Sequence, residues 1–269
     1  MKNRFQNKVV FITGASSGIG AELARQLARE GARLSLFARR EENLKALQQE
    51  IQKEGGQVEI FRGDVREPED LERAVVHTLQ VFGAIDLVIA NAGIGIADSF
   101  PKLTVEDYRR QFEVNFFGLL HTLYATLDAL KKSKGQVVLI GSIAGLVGTP
   151  TSSPYNASKF AVVGLAESIF YDLEREGIAL TLINPGFVDS EIRLLNNEGE
   201  RHGRGDPIPS WLVMKTPRAA KQMLRAIHKE KAVVIITFHG RILAWMKRFF
   251  PALTRRILRP GNYRKEKKK

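Results

Sequence analysis

The 269-residue sequence contains no cysteine, which excludes disulfide bonds, thiolate nucleophiles and cysteine metal ligands. Long apolar runs are also missing. No stretch approaches the roughly 20 residues of a membrane-spanning helix, and residues 9–12 are too few for the apolar part of a secretion signal. The five histidines lack zinc-ligand spacing, so we expect no metal site. These absences favour a protein of the reducing cytoplasm.

Acidic residues are scarce only at one end of the chain. The formal net charge is +12, but residues 240–269 contain 11 Lys or Arg and a single acid, Glu266. Residues 1–239 are therefore close to neutral, with 30 bases against 28 acids. This distribution argues against nucleic acid as a ligand, and it divides the chain into a body, 1–239, and a basic extension, 240–269.

The body alternates short apolar segments with helical patterns. Continuous apolar strands of this kind are typical of a parallel sheet covered by helices on both faces. We therefore predict a single Rossmann-type, doubly wound α/β domain with a seven-stranded parallel sheet. The predicted strands are 9–13, 33–38, 57–62, 86–90, 136–140, 178–183 and 232–237. The predicted helices are 18–30, 41–54, 68–82, 105–132, 153–176 and 217–229.

A glycine-rich turn joins the first predicted strand to the first predicted helix. Main-chain N–H groups of such a turn, together with the helix dipole, can bind a pyrophosphate. The order of strand, turn and helix is the context that this motif requires. The candidate phosphate-binding residues are Gly14, Ser16, Ser17, Gly18, Ile19 and Gly20.

Tyr155 and Lys159 lie four residues apart at the start of a predicted helix, so their side chains share one face. A free tyrosine has a pKa of about 10, and a neighbouring ammonium favours the phenolate. The pair is therefore a candidate acid and base. Tyrosine and lysine also occur at this spacing by chance in many helices, so the rest of the chain must decide.

Six motifs together resemble those of the classical short-chain dehydrogenase/reductases, over about residues 7–237. They are Thr13-Gly14 through Gly18-Ile19-Gly20, Asn91-Ala92-Gly93, Asn115, Ser142, Tyr155 with Lys159, and Pro185-Gly186. The resemblance implies that Tyr155 exchanges a proton with a substrate oxygen, that Ser142 holds that oxygen, and that Lys159 lowers the tyrosine pKa and binds the nicotinamide ribose. It further implies that Asn115 anchors a relay water.

The same resemblance implies the remaining cofactor contacts. Asp64 and Val65 are expected at the adenine, and Asn91, Ala92 and Gly93 beside the cofactor. Pro185 and Gly186 are expected to pass close to the nicotinamide, with the carboxamide bound by Val188 and Ser190. The family usually has threonine at the position of Ser190, and the serine hydroxyl can make the same bond.

The residues after the second predicted strand indicate which nicotinamide is bound. An acid there would accept from the ribose hydroxyl of NAD(H), whereas arginine can bind the extra phosphate of NADP(H). In this chain no acid sits at the strand end, and Arg39 and Arg40 follow at once, so we predict NADP(H). The alternative is that both arginines are solvated at a helix start. Ser17 stands where many NADP-binding members have a base, which removes one common support.

Residues 191–214 carry apolar side chains that either cover a substrate pocket or simply cover the core. A substrate pocket would suit an apolar ketone or alcohol, whether steroid, lipid or xenobiotic. Residues 240–259 form an amphipathic helical pattern that Pro251 should kink. Its apolar face could lie on an anionic membrane, on the domain or on a partner subunit. The resemblance implies a homodimer or homotetramer.

Two classes of function are compatible with these residues. One is an NADP(H)-dependent carbonyl reductase or alcohol dehydrogenase. The other is a non-catalytic NADP(H) sensor or membrane-peripheral scaffold on the same fold. The presence of Ser142, Tyr155 and Lys159 favours the enzyme, because a pure binding protein needs no proton donor.

Overall fold

The computed structural model describes residues 4–189, 192 and 208–259. The described strands form one parallel sheet of seven strands in the order β3-β2-β1-β4-β5-β6-β7. The order reverses between β1 and β4, as it does in a doubly wound sheet. The strands are β1 Val9–Thr13, β2 Arg33–Ala38, β3 Gln57–Arg62, β4 Leu87–Ala90, β5 Gln136–Ile140, β6 Ala179–Asn184 and β7 Val233–Ile235.

Two apolar clusters, one on each face of the sheet, hold the helices in place. One contains Leu23 and Leu27 of the first helix and Met223 of the seventh; the other contains Leu71 of the third and Leu130 of the fifth. The helices are α1 Gly18–Arg29, α2 Glu41–Lys53, α3 Pro68–Phe82, α4 Val105–Phe112, α5 Gly118–Ser133, α6 Ser153–Arg175, α7 Thr216–His228, α8 Phe238–Phe249 and α9 Pro251–Ile257. The predicted fold class is confirmed.

The prediction of one long helix over 105–132 is wrong in its middle. α4 ends at Phe112, the segment Glu113–Phe117 is a π-helical turn, and α5 begins at Gly118. π-Turns of this kind insert an extra residue into a helix and occur mostly at functional sites. The hydrophobic periodicity alone did not reveal the interruption, because the helical segments follow one another without a break in the chain.

The basic extension begins as two helices separated at Pro251. α8 starts at Phe238, where the side chain of Thr237 accepts a hydrogen bond from the Gly240 N–H at 3.2 Å. Only Gly240 in α8 and Thr254 in α9 are buried. The apolar side chains of both helices therefore remain largely outside the domain core. Across the described ranges, no helix is long and apolar enough to cross a membrane.

Candidate active site

The candidate residues lie at the carboxyl ends of the central strands. The glycine-rich turn follows β1, Asn91 follows β4, Ser142 follows β5 and Pro185 follows β6. Ligands of open α/β sheets bind at this edge, beside the point where the strand order reverses. The parallel register thus brings together segments that are far apart in sequence. Ser190, expected at the carboxamide, lies outside the described residues.

The turn after β1 has the form of an anion site. Gly14 has φ +66°, and a Cβ there would stand 2.7 Å from the Cα of Ala92. The Asn91 side chain donates to the carbonyl oxygens of Thr13 and Gly14, each at 3.1 Å, which ties β4 to the turn. The Ser17 side chain makes no capping bond to the first turn of α1, and that turn contains no acid. Its N–H groups therefore face the site without a competing carboxylate.

Two arginines after β2 border the same end of the site. The Arg40 guanidinium donates to the hydroxyls of Ser16, at 3.3 Å, and Ser17. The Arg39 side chain is 59% exposed and its Nη1 lies 3.9 Å from Asp64. A cleft of about 400 Å³ opens beside them, lined by Arg39, Arg62, Gly63, Asp64 and Asp70.

Asp64 is engaged with a second arginine. Burial opposes ionisation of its carboxyl, but hydrogen bonds from the Arg66 side chain and main chain outweigh burial and lower the Asp64 pKa. The carboxylate is thus charged at neutral pH. The neighbouring Val65 is buried, and its carbonyl oxygen lies 2.9 Å from His121 Nδ1. Because a carbonyl only accepts, Nδ1 carries the proton of that ring.

Lys159 is buried beneath Tyr155 on α6. Its ammonium donates to the Ile140 carbonyl oxygen at 2.8 Å and lies 5.9 Å from the centre of the Tyr155 ring. The side chain is almost without solvent exposure, and burial lowers the pKa of Lys159 to about 8. Tyr155 itself is half-buried in the first turn of α6. A half-buried phenol above a buried ammonium can exchange a proton with a bound ligand.

Ser142 is held by an asparagine that the sequence analysis did not single out. The buried Asn184 accepts from the Ser142 main-chain N–H at 3.1 Å, and its Nδ2 has no hydrogen-bond partner among the described residues. The Ser142 Oγ accepts from the Ala144 N–H at 3.1 Å, which leaves its hydroxyl proton for another acceptor. The position of Asn184 directly before Pro185 was the only available signal.

Asn115 lies within the π-turn, and its side chain is occupied by the protein. Its Nδ2 donates to the Ile94 carbonyl oxygen at 3.1 Å and to Ser158 Oγ at 3.2 Å, while its Oδ1 accepts from the Ile94 N–H at 2.8 Å. Both amide protons are therefore used internally. Ser158 was also missed by the sequence analysis, although it lies between Tyr155 and Lys159.

The segment after β6 approaches Ser142 from the other side. The Pro185 carbonyl oxygen accepts from the Ile143 N–H at 2.8 Å. Val188 pairs with Met214 in an isolated parallel bridge, which fixes the end of the segment. The donor set as a whole fits a dinucleotide: N–H groups of a helix start without a side-chain cap for phosphates, arginines at one end, and a lysine and a tyrosine at the other.

A family model described as short chain dehydrogenase matches residues 8–201. The chain is a short-chain dehydrogenase/reductase. It is 30% identical to a Dictyostelium discoideum protein named dehydrogenase/reductase SDR family protein 7-like, over 94% of this chain and 81% of the relative. It is 32% identical to a Sesamum indicum protein named 11-beta-hydroxysteroid dehydrogenase A, over 96% and 78%.

Solved structures of this family have the same fold. A short chain dehydrogenase/reductase from Burkholderia phymatum in complex with NAD is 25% identical, with TM-score 0.83 over 93% of this chain and 96% of the other. An alcohol dehydrogenase from Thermococcus sibiricus complexed with 5-hydroxy-NADP is 29% identical, with TM-score 0.73 over 85% and 95%. This short-chain dehydrogenase/reductase is therefore an oxidoreductase of alcohols and carbonyl compounds.

Proposed function

We propose that this short-chain dehydrogenase/reductase uses NADP(H) to reduce an apolar ketone. The observation that carries the cofactor choice is the end of β2, where no acid stands at the strand end and Arg39 and Arg40 follow at once. Solved relatives are in complex with NAD in one case and with an NADP derivative in another. The choice between NAD(H) and NADP(H) therefore depends on the residues expected beside the adenosine ribose. An exposed Arg39 beside an open cleft suits a phosphate, which it can bind with two hydrogen bonds.

The catalytic roles follow from the proton-carrying groups of the site. Ser142 has its hydroxyl proton available for the substrate carbonyl oxygen, where negative charge develops. Tyr155 gives the proton that turns this oxygen into a hydroxyl, and the buried Lys159 ammonium stabilises the tyrosinate that remains. The bound nicotinamide supplies the hydride that the carbonyl carbon receives. The reverse sequence oxidises a secondary alcohol.

An apolar substrate is supported by the surroundings of the site. Ile192 lies over the loop after β4, since a Cβ on Gly95 would meet Ile192 Cγ1 at 3.3 Å. Ile94 of the same loop is partly buried. Apolar side chains at this edge suit a hydrophobic ketone better than a sugar or an acid. Several relatives carry hydroxysteroid dehydrogenase in their names, which makes a sterol-like ketone the first class to test.

The experiment is to follow oxidation of NADPH, and of NADH in parallel, against a panel of steroid, aliphatic and aromatic ketones and one sugar aldehyde. We expect NADPH oxidation with an apolar ketone. Faster oxidation of NADH than of NADPH would overturn the cofactor assignment. Turnover of the sugar aldehyde alone would overturn the substrate class.

We infer further that the protein assembles as a homodimer or homotetramer through α5 and α6. Large aromatic side chains remain exposed on these helices, among them Tyr124 at 74% and Tyr171 at 65%. Burial of such side chains against a second copy is a frequent source of interface stability. Light scattering after size exclusion tests the assembly, and a monomer at micromolar concentration would contradict it.

We also propose that the extension binds the surface of an anionic membrane. Trp245 packs against Phe249 and Phe250, with ring centres 5.6 and 5.3 Å apart, and all three rings are about half exposed. Residues 240–259 contain six Lys or Arg and no acid. Exposed aromatic rings on a basic helix suit the boundary between lipid headgroups and acyl chains. The protein would then be cytoplasmic and peripheral to a membrane.

A further inference from the structure

His239, directly before the extension, links α8 to the segment after β6. It lies in the first turn of α8, two residues after the N-capping residue Thr237. Its imidazole stacks on the ring of Phe187, with centres 5.3 Å apart and planes inclined by 19°. Phe187 follows Pro185 and Gly186 at the end of β6. A residue in the first turn of α8, the helix that leads into the extension, thus packs directly on the segment that reaches the active-site edge.

A hydrogen bond also joins His239 to the main chain of Phe187. The main-chain N–H of Phe187 donates to His239 Nε2 at 3.2 Å. Nε2 must therefore be unprotonated, and burial, which lowers the pKa of His239, favours that neutral ring. The Phe187 carbonyl oxygen accepts from the Met214 N–H at 2.8 Å. Both polar main-chain groups of Phe187 are thus engaged, one on each side of the segment.

The packing around Gly186 leaves little freedom for the segment to shift. A Cβ on Gly186 would stand 2.0 Å from Thr237 Oγ1 and 2.7 Å from His239 Nε2. Glycine is therefore required there by the start of α8. The next residue, Phe187, donates its main-chain N–H to His239 in the same helix turn. Thr237 and His239, at the start of α8, therefore restrict the main-chain conformation of Gly186 and Phe187.

We propose that His239 is a positioning residue for nicotinamide binding: by accepting from the Phe187 N–H it holds the main chain of Phe187 and Val188 in the orientation that binds the carboxamide. The proposal rests on the proposed function, because it presumes that Val188 faces the nicotinamide. Loss of the acceptor leaves the Phe187 N–H unpaired and lets the segment move. His239 touches neither substrate nor cofactor in this role.

The test compares two amides at this position. His239→Gln has an oxygen acceptor near the position of Nε2, whereas His239→Asn is too short to reach Phe187. Two readouts are measured: hydrogen exchange of the Phe187 amide in the protein without nucleotide, and the Kd for NADPH by calorimetry. His228→Asn is the matched control, because His228 packs on Phe5 at the far end of α7. Should His239→Asn fail to fold, His239→Phe replaces it.

The Asn variant is expected to lose slow exchange at Phe187 and to bind NADPH about fivefold more weakly, which is what loss of one ordinary hydrogen bond gives. The Gln and His228 variants should stay near wild type. Equal behaviour of the Gln and Asn variants, whether both normal or both impaired, would overturn the proposal. Wild-type protein that binds neither NADPH nor NADH would instead overturn the proposed function. Hydrogen exchange of the Phe187 amide, measured without nucleotide, would still test the role of His239 in that case.

Discussion

The Lys159 ammonium lies 5.9 Å from the centre of the Tyr155 ring, on the same face of α6. It is anchored there by the Ile140 carbonyl oxygen at the end of β5. The lysine is therefore fixed to the sheet, while the phenol above it remains half-buried. In the proposed mechanism the tyrosine is the group that meets a substrate and the lysine is the charge that supports it.

Replacement of Tyr155 by phenylalanine should remove turnover but not cofactor binding. The ring and its packing are kept, and only the proton donor is lost, so kcat should fall by about 10²- to 10⁴-fold. The Kd for NADPH should stay near the wild-type value, as measured by calorimetry. Tyr171→Phe is the control, since Tyr171 lies on the same helix with 65% of its side chain exposed. Unchanged turnover in Tyr155→Phe would contradict the assignment of Tyr155 as the proton donor, whereas no turnover by the wild type with any ketone would favour the non-catalytic alternative.

The buried charge of Lys159 should be visible in the pH dependence of stability. Its pKa is lowered to about 8 in the folded protein, against about 10.4 in an unfolded chain. Between these values the unfolded chain binds more protons, so the free energy of unfolding rises with pH. Relative to Lys159→Met, wild type should gain about 1 kcal/mol between pH 7 and pH 9.

Urea unfolding of both proteins at several pH values measures this difference. Lys45→Met is the control, because hydrogen bonding to Glu41 raises the pKa of Lys45 and its charge is retained throughout the range. The difference between wild type and Lys159→Met should grow with pH, while that for Lys45→Met should not. A constant difference for Lys159 would show that the ammonium is better solvated than its position indicates.

Much of this site could be predicted from sequence because its parts are local. The turn after β1 and the Tyr155–Lys159 pair each lie within a few residues, so strand and helix periodicity predicted the elements that carry them, and the resemblance implied that they form one site. The contacts missed join distant segments: Asn184 to Ser142, Asn115 to Ile94, and His239 to Phe187. Nothing in the local pattern of either partner indicates such a contact, since it depends on how the strands align.

The cofactor choice should depend on Arg39. Arg39→Ala removes a guanidinium that can bind a phosphate, and loss of such a charged hydrogen bond should raise the KM for NADPH by about 10- to 100-fold. The KM for NADH should change little, because that ribose carries no phosphate. Arg29→Ala is the control, since Arg29 pairs with Glu54 at the opposite end of α1. Equal effects on both nucleotides would argue that Arg39 acts only on the adenine or on the fold.

Two glycine-to-alanine variants should have opposite effects on stability. At Gly14 the positive φ and the approach of Ala92 both oppose a side chain, so Gly14→Ala should cost about 2 kcal/mol or more. At Gly164, within α6, a Cβ meets nothing within 4 Å, so Gly164→Ala should stabilise the protein by about 0.5–1 kcal/mol. Chemical unfolding measures both, and a stable Gly14→Ala would contradict the geometry of the turn.

Membrane binding should require the aromatic rings of α8 as well as its charge. The double variant Trp245→Glu, Phe249→Glu removes two half-exposed rings and adds two negative charges next to the headgroups. It should abolish co-sedimentation with vesicles of phosphatidylcholine and phosphatidylserine, to which the wild type should bind. Phe100→Glu is the control, because Phe100 is 74% exposed but lies far from the extension in sequence, before α4.

Salt and lipid composition separate the membrane from the other partners that the extension could have. Attraction between arginines and anionic lipids weakens as added salt screens the charges, so binding should fall with ionic strength and be weak on phosphatidylcholine alone. Packing of α8 against a second subunit would instead give a lower oligomer mass for the double variant and no vesicle binding by wild type. Since α8 begins beside His239, vesicle binding should be measured with and without NADPH, and tighter binding in its presence would indicate that the extension and the nicotinamide end of the site are coupled.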